Sequence, residues 1–252
     1  MQSRKKDLVF LDIHNHIMFG LDDGAENIRE TRKMLEMAYE DGIRAIIATP
    51  HYRPERWAVS PEQTEWVFQK VRRLAKRIDS TFQIYPGNEI FYRDETAELL
   101  AKGKIRTLAK SRYLLVEFHP DAPYEYMRQG LQTLCLAGYQ VILAHWERYD
   151  CLKEEPDRLE GLAQGGVLIQ SNVGAILGKQ GRAVKKMLRE MIQDGFVDFV
   201  ATDSHDLRKR PPQLSPAYDY IRKKIGEETA YQLCVENPRS VIENQLIKRK
   251  RR

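Results

Sequence analysis

Short apolar runs alternate with amphipathic helical patterns along the whole chain, and this alternation limits the possible folds more than any other feature. The runs are rich in Val, Ile, Leu and Phe, and they occupy residues 7–12, 44–48, 82–86, 113–117, 140–144, 167–171 and 197–202. Uninterrupted apolar runs of this kind are typical of strands that are buried on both faces of a parallel sheet.

The segments between these runs have apolar residues at helical spacing. They occupy residues 27–41, 61–79, 94–102, 124–137, 156–164, 182–194 and 216–225. Ser60-Pro61-Glu62 is a helix-start signal for the second segment. Strand-then-helix units in series predict a closed or nearly closed parallel barrel in a single domain over residues 1–247, with an open doubly wound sheet as the alternative.

Composition excludes a membrane-embedded protein. The chain has 252 residues, enough for one large α/β domain. Its apolar stretches fall short of the roughly 18–20 residues of a membrane span, so we expect no membrane insertion. Cys135, Cys151 and Cys234 are odd in number, scattered and without a CxxC pair. This pattern predicts reduced thiols in a cytoplasmic protein.

The net charge of +5 is concentrated in the tail over 248–252, Lys-Arg-Lys-Arg-Arg. A basic surplus can indicate nucleic acid or an anionic surface as a partner. Without the tail the body is close to neutral, which argues against a general polyanion-binding surface. We therefore predict a disordered, solvated tail and no nucleic-acid partner.

Polar residues follow nearly every apolar run. The ends of the runs read, in chain order, HNH, TPH, GNE, EFH, AHWER, QSN and ATDSHD. In parallel α/β folds the carboxyl ends of the strands meet at one edge, and chemistry collects there. The sequence therefore predicts a ring of histidines and carboxylates around one site.

Single members of this ring have ordinary explanations, such as a loop acid, a core histidine or a helix cap. Two features are harder to explain singly. His14 and His16 lie two residues apart and face the same way on an extended segment. Glu117 ends a buried run, where a carboxylate without a cation is costly. The joint pattern predicts metal ligands at His14, His16, Asp23, His51, Glu89, Glu117, His145, Asp203 and His205.

The charge of this ring favours divalent metals. Four converging carboxylates repel one another and take up protons unless cations neutralise them. Two divalent ions would balance the four negative charges, and three would leave an excess suited to hydroxide and an anionic substrate. Mixed histidine and carboxylate ligands suit manganese, iron, zinc or magnesium, and the lack of thiolates argues against purely structural zinc.

Two arginines lie beside the ring in the sequence. Arg148 follows His145 by three residues, and Arg210 follows Asp203-Ser204-His205. Arginines next to a multi-metal site are typical of bidentate phosphate binding, although a surface ion pair is the alternative for each. His119, in Phe-His-Pro, is a candidate rim or substrate-contact residue.

The chain carries, in order, the motifs DIHNH, DDG, ATPH, GNEI, a glutamate that ends LLVE, AHWERY and ATDSHDLRKRPP. These motifs and their order resemble those of the polymerase-and-histidinol-phosphatase (PHP) superfamily. They are most similar to its bacterial tyrosine-protein phosphatases, which regulate capsular and extracellular polysaccharide synthesis. The resemblance covers nearly the whole chain, from about residue 8 to Asn237-Pro238.

This resemblance implies a distorted (β/α)7 TIM-like barrel, the PHP fold, with three divalent metals that are commonly manganese. It implies a first metal bound by His14, His16, Glu89 and Asp203. Glu89 would bridge to a second metal, which Glu117 and His145 also bind, and the third would be bound by Asp23, His51 and His205. The implied partner is a bacterial tyrosine kinase, whose tail carries the phosphorylated tyrosines.

The predicted reaction is metal-dependent hydrolysis of a phosphomonoester. A hydroxide bridging two metals attacks phosphorus, while Arg148 and Arg210 bind the phosphoryl oxygens. Asp203 or His205 is the candidate proton donor, although a phenolate with a pKa near 10 needs little help to leave.

Three other functions remain open from the sequence: a small-molecule phosphatase such as a histidinol-phosphatase, a PHP-type nuclease, and a metal-bound scaffold without activity. Trp146 and His119 depart from the residues expected in this family, and we expect both to reshape the mouth of the site. The sequence gives no oligomeric state.

Overall fold

The computed structural model describes residues 8–57 and 59–247. The predicted disordered tail and the first residue of the first predicted strand lie outside the described residues. Each predicted strand region contains an observed strand. The strands are β1 Phe10–Asn15, β2 Ile43–Ala48, β3 His51–Tyr52, β4 Gln83–Pro86, β5 Glu89–Phe91, β6 Tyr113–Glu117, β7 Gln140–Leu143, β8 Leu168–Asn172 and β9 Phe199–Ala201.

The seven predicted helices are all present, and four short helices were not predicted. The helices are α1 Ile28–Glu40, α2 Pro61–Ile78, α3 Thr96–Ala101, α4 Tyr124–Leu136, α5 Asp150–Glu154, α6 Asp157–Gln164, α7 Val173–Ile176, α8 Arg182–Gln193, α9 Ser215–Lys224, α10 Glu227–Tyr231 and α11 Asn237–Ile242. Among the described residues, no helix combines the length and apolarity needed to cross a bilayer.

Two strand regions are broken: after the predicted strands over 44–48 and 82–86, a two-residue break is followed by a second short strand. Pro50, which has no N–H for the ladder, separates β2 from β3. Gly87 and Asn88 separate β4 from β5, and a Cβ at Gly87 would lie 2.9 Å from the Ile47 side chain. Because β2 pairs with β4 and β3 pairs with β5, the two broken strands run side by side across both breaks.

All strand pairs are parallel, in two sheets of order β1-β2-β4 and β3-β5-β6-β7-β8-β9. Backbone hydrogen bonds link β1 to the residues after β9: Asp203 N–H donates to His14 O at 3.0 Å, and His16 N–H donates to Ser204 O at 2.9 Å. The result is a mixed α/β single domain built on a curled parallel sheet.

The core has two parts. The larger part packs the helices against the sheet, as where Phe10 of β1 meets Tyr218 of α9 at 5.2 Å between ring centroids. The smaller part gathers side chains from six strands, including Ile13 and Phe199, and Val241 of α11. Side chains from six strands can touch one another only because the sheet curls, and this curl brings the strand ends together.

The first strand begins and ends later than the predicted 7–12, so the predicted bounds of that strand are wrong. β1 runs through His14 to Asn15. Its polar end stays in the ladder because its polar groups find partners: Asn15 N–H donates to Thr49 Oγ1 at 2.9 Å, and Asp12 accepts from Thr202. Polar groups can be buried in a strand when they are hydrogen-bonded in this way. A prediction from apolar runs alone therefore ends the strand too early.

Candidate active site

The ends of β1 and β9 and the start of β5 bring four predicted ligands into one buried group, His14, His16, Glu89 and Asp203. Glu89 Oε2 lies 3.2 Å from the Nε2 atoms of both His14 and His16. Asp203 Oδ1 lies 3.3 Å from His14 Nε2. This group matches the predicted first ligand set.

Glu89 also belongs to a neighbouring group. Its Oε1 lies 2.7 Å from His145 Nε2, and its Oε2 lies 3.1 Å from His51 Nδ1. Glu117 lies 2.9 Å from His51 Nδ1 and 3.7 Å from His145 Nε2. The geometry therefore brings His51, as well as the predicted His145, to Glu89 and Glu117.

A third group surrounds the half-exposed carboxylate of Asp23. Asp23 Oδ1 lies 3.3 Å from His205 Nε2 and 3.4 Å from His51 Nε2. His16 also borders this group, because its ring stacks on His205 at 3.9 Å between centroids. The structure thus brings all nine predicted side chains together, and His51 offers one nitrogen to each of two groups.

The polar atoms of the site suit divalent cations. Glu89 Oε2 and Asp203 Oδ1 are buried and have no hydrogen-bond partner within the described part of the chain. Buried carboxylate oxygens are costly without a partner, and here imidazole nitrogens converge around the same oxygens. His14 Nε2 and His16 Nε2 lie only 3.2 Å apart. A set of nitrogen and oxygen donors that face one another in this way fits metal ions.

Three of the imidazoles are oriented through their second nitrogen. His16 Nδ1 lies 2.7 Å from Asp22 Oδ2, His14 Nδ1 lies 3.1 Å from Gln170 Oε1, and His205 Nδ1 lies 2.9 Å from the Asp203 carbonyl oxygen. Such contacts fix the tautomer and the ring plane of a metal-binding histidine. Sequence reasoning missed Asp22 and Gln170, although Asp22 stands next to the predicted Asp23.

Two site residues have left-handed backbones. His145 has φ 33° and Asp203 has φ 50°. This region is uncommon for residues other than glycine and costs about 1–3 kcal/mol. The His145 N–H donates to Gln170 Oε1 at 3.1 Å, and the Asp203 N–H donates to His14 O. These bonds hold the strained conformation in which both side chains join the ring.

The two predicted arginines meet at one carboxylate oxygen. Arg148 is ion-paired with Asp203 Oδ2, and Arg210 Nη1 lies 3.5 Å from the same atom. Asn172 Nδ2 also donates to it at 2.8 Å. Burial by itself raises the pKa of Asp203, but the charges of Arg148 and His14 outweigh burial and lower it well below its usual range. Both guanidinium groups therefore lie beside the ring of predicted metal ligands, and neither arginine is a remote surface residue.

A pocket of about 310 Å³ opens onto the site. Five of the predicted ligands and both predicted arginines line it. Sequence reasoning missed Arg53, Arg56 and Trp57, which complete its wall. Their only sequence signal is that they follow His51 closely along the chain.

The two departures from the family pattern lie away from this mouth. Trp146 is fully buried, and its Nε1 donates to Ser171 Oγ at 2.9 Å, so the expectation that it reshapes the mouth is wrong. Its indole is large enough to fill the core beside β8. His119 is 60% exposed, pairs with Asp121 and is not among the residues that line the pocket.

Comparisons with known proteins agree with this geometry. The model of the family described as "Capsular polysaccharide synthesis, CpsB/CapC" matches residues 10–243. The tyrosine-protein phosphatase CpsB of Streptococcus pneumoniae is 36% identical over 242 residues, which cover 94% of this chain and 100% of that protein.

Solved structures resemble the chain in the same way. One chain from the crystal structures of YwqE from Bacillus subtilis and CpsB from Streptococcus pneumoniae, described as metal-dependent tyrosine phosphatases, matches with a TM-score of 0.87 at 30% identity. The match covers 96% of this chain and 97% of the matched chain. A mutant organophosphorus hydrolase from Deinococcus radiodurans matches with a TM-score of 0.59 at 13% identity, over 93% and 92%, which shows likeness of fold alone.

Proposed function

The chain belongs to the CpsB/CapC family of capsular polysaccharide synthesis, and on that premise we propose how its site works. It is a metal-dependent tyrosine-protein phosphatase that hydrolyses phosphotyrosine in proteins. The observation that carries this function is the meeting of Arg148 and Arg210 at Asp203, at the edge of the histidine and carboxylate ring. Fork-shaped cations beside a metal-binding ring fit a phosphoryl group.

We propose three divalent ions, most simply manganese, with iron, zinc or magnesium as alternatives. The first would be held by His14, His16, Glu89 and Asp203, the second by Glu89, Glu117 and His145, and the third by Asp23, His51 and His205. His51 would use Nε2, the nitrogen that faces Asp23 at 3.4 Å. Bound divalent ions would supply Lewis acidity and lower the pKa of the attacking water.

The residues of the chain supply the remaining steps. Arg148 and Arg210 would turn from Asp203 to the non-bridging phosphoryl oxygens and neutralise charge that grows in the transition state. The pocket walls would hold the ester so that the leaving oxygen points outward. Asp203 or His205 would relay a proton from the attacking water to the leaving phenolate, which needs little help because its pKa is near 10.

We also propose the setting of this activity. The substrate would be the phosphorylated tail of a bacterial tyrosine kinase that controls capsular or extracellular polysaccharide, in the cytoplasm, without nucleic acid or membrane insertion. The three free cysteines support a reducing compartment. We infer a closed, distorted (β/α)7 barrel over residues 1–247, supported by the bonds between β1 and the end of β9, with 248–252 as a separate basic tail.

Elemental analysis together with activity on a phosphotyrosine peptide tests the function. We expect bound divalent metal and turnover of the peptide, and we expect Asp203→Ala and Glu89→Ala to lose metal and activity together while remaining folded. Preference for histidinol phosphate would instead indicate a small-molecule phosphatase, and cleavage of single-stranded DNA would indicate a nuclease. An Asp203→Ala variant with full metal content and the wild-type rate would remove that residue from the site.

A further inference from the structure

We propose that residues 53–57 form a specificity element that binds acidic residues next to the phosphotyrosine, an inference that rests on the proposed function. These residues follow β3, which carries His51. Arg53, Arg56 and Trp57 line the same pocket as Arg148 and Arg210. The substrate would then be a phosphotyrosine in an acidic stretch of polypeptide, in contrast to an isolated phosphate ester.

Trp57 fixes this segment against the site. Its ring lies parallel to the His51 imidazole, with an interplanar angle of 1° and 4.8 Å between centroids. The nitrogens of His51 face Asp23, Glu89 and Glu117 and so tie its ring to the buried part of the site. The indole thus has a fixed place at the wall of the pocket, where an aromatic side chain of the substrate would enter.

Among the residues that the structure describes, Arg56 has no carboxylate partner. Its guanidinium lies 4.4 Å from the centroid of the Trp57 ring, and its side chain is exposed. Within residues 8–57 and 59–247, no aspartate or glutamate forms an ion pair with it. A guanidinium held over an indole keeps its hydrogen-bond donors for a ligand, because a cation–π contact uses only the face of the group.

Arg53 is held in place by its neighbours. Its Nε lies 3.0 Å from Glu55 Oε1, and its guanidinium lies 3.9 Å over the Phe91 ring. Glu55 also pairs with Arg93. One glutamate therefore serves two arginines and leaves the segment with a net positive charge. That charge is positioned by contacts on both sides and does not depend on a mobile side chain.

The number of cations exceeds what one phosphoryl group needs. A phosphoryl dianion is matched in charge by Arg148 and Arg210, which already lie beside the ring. Arg53 and Arg56 add two guanidinium groups to the same pocket wall, and Glu55, which Arg53 shares with Arg93, offsets only part of their charge. Complementary charge on the ligand follows: carboxylates of Asp or Glu beside the phosphotyrosine would meet these two side chains.

Two phosphotyrosine peptides of equal length test this inference, one with Asp and Glu around the phosphotyrosine and one with Asn and Gln in their place. We expect wild type to have a kcat/KM about tenfold higher on the acidic peptide, mostly through KM, since two partly exposed ion pairs contribute about that much. Arg53→Ala/Arg56→Ala should bring the ratio between the two peptides close to one. Added salt should reduce the wild-type ratio in the same direction.

Arg72→Ala/Arg73→Ala is the matched control, because it removes the same charge from the exposed face of α2. It should keep the wild-type ratio, and metal content should be equal in all three proteins. Equal loss on both peptides in the Arg53/Arg56 variant would mean that these arginines serve the phosphoryl group itself, and the inference would fail. A wild-type protein that hydrolyses neither peptide would overturn the proposed function instead.

Discussion

Glu89 is the side chain that two of the three groups of the site share. Its Oε2 faces His14, His16 and His51, and its Oε1 faces His145. The sequence identified it only through the motif Gly-Asn-Glu, where it could also be an ordinary loop acid. Its central position depends on residues from three other strands or strand ends, which is information that a local motif does not contain.

Asp22 is the residue whose role is easiest to separate from metal ligation. Its Oδ2 lies 2.7 Å from His16 Nδ1, and its Oδ1 accepts the Gly24 N–H at 2.9 Å. Burial disfavours a charged His16, but the charge and hydrogen bond of Asp22, together with Glu89, outweigh burial and raise the pKa of this imidazole to about 9. Asp22 therefore controls the basicity and the orientation of His16.

We predict that Asp22→Asn weakens metal binding by about 10- to 100-fold, because the amide keeps the shape but loses the charge that orients His16. Competition with a metal-sensitive dye measures the affinity. Asp79→Asn serves as the control, since the Asp79 carboxylate binds Tyr39 and Thr81 at the end of α2. Wild-type affinity in Asp22→Asn would show that the contact with His16 has no effect on the metals.

The arginines separate a phosphatase from a generic metal site. We predict that Arg148→Ala and Arg210→Ala each lower kcat/KM on a phosphotyrosine peptide by about one to two decades, the value of one charge-assisted hydrogen bond. Lysine should restore little, because a point charge cannot reproduce the guanidinium fork. A loss in kcat would indicate transition-state binding, and a loss in KM alone would indicate uniform binding.

Metal content is the control for both variants and should stay at the wild-type level. Arg148 pairs more closely with the buried Asp203, so its removal should also lower stability more than removal of Arg210. Wild-type kcat/KM in both alanine variants would leave the phosphatase mechanism without its phosphate-binding groups.

At the scale of the elements, the sequence predicted long segments well and short ones poorly. The predicted strand over 113–117 has the observed bounds of β6, and α2 differs from its prediction only at its last residue. β3 and β5 were missed because two or three residues are too few for a periodic pattern. These short strands nevertheless carry His51 and Glu89, so the site could be predicted from its residue types but not from its strands.

One contact between elements was invisible in the sequence. Asp41 follows α1 but caps α9: its carboxylate accepts from the backbone N–H groups of Leu214 and Ser215 at 2.6 and 2.9 Å. It also accepts from Ser215 Oγ at 2.5 Å. A carboxylate at this position accepts hydrogen bonds from N–H groups that have no partner within the helix, and its negative charge is attracted to the positive end of the helix dipole. Asp41 and Ser215 are far apart in the chain, so no local capping motif in the sequence predicts their contact.

We predict that Asp41→Ala lowers the free energy of unfolding by about 1–2 kcal/mol, because it removes the cap of α9. Asp41→Asn should lose less, since the amide oxygen can still accept. Urea unfolding gives the difference. Asp194→Ala is the matched control: Asp194 also follows a helix, is exposed, and makes no side-chain hydrogen bond within the described residues. Equal stability of the two alanine variants would contradict the capping role.

At the scale of the whole molecule, the ring gathers its side chains from one end of the sheet to the other. His14 lies in the first strand and Asp203 follows the last. Metals that bind both would stabilise the native state alone, because the unfolded chain does not hold these ligands together. Stability and activity should therefore depend on metal together.

We predict that a strong chelator lowers the melting temperature and abolishes activity, whereas iodoacetamide leaves both unchanged. Saturating metal at 100 times its Kd contributes about 2.7 kcal/mol per site. Cys234 is buried, Cys135 and Cys151 are partly buried, and burial raises the pKa of all three thiols, which slows alkylation. Scanning calorimetry and peptide turnover measure the two effects. Inactivation by iodoacetamide at full metal content would indicate a catalytic thiol.

The pairing of the first strand with the end of the last has a consequence for biosynthesis. On the ribosome, Asp203 and His205 follow His14 only after all the intervening strands and helices, on the order of ten seconds or more later at typical rates of synthesis. Until then His14, His16 and Glu89 lack Asp203 and Arg210, two later residues of the same site. On the proposed mechanism, a nascent chain should therefore gain activity only after residues 203–210 have been synthesised and have joined β1.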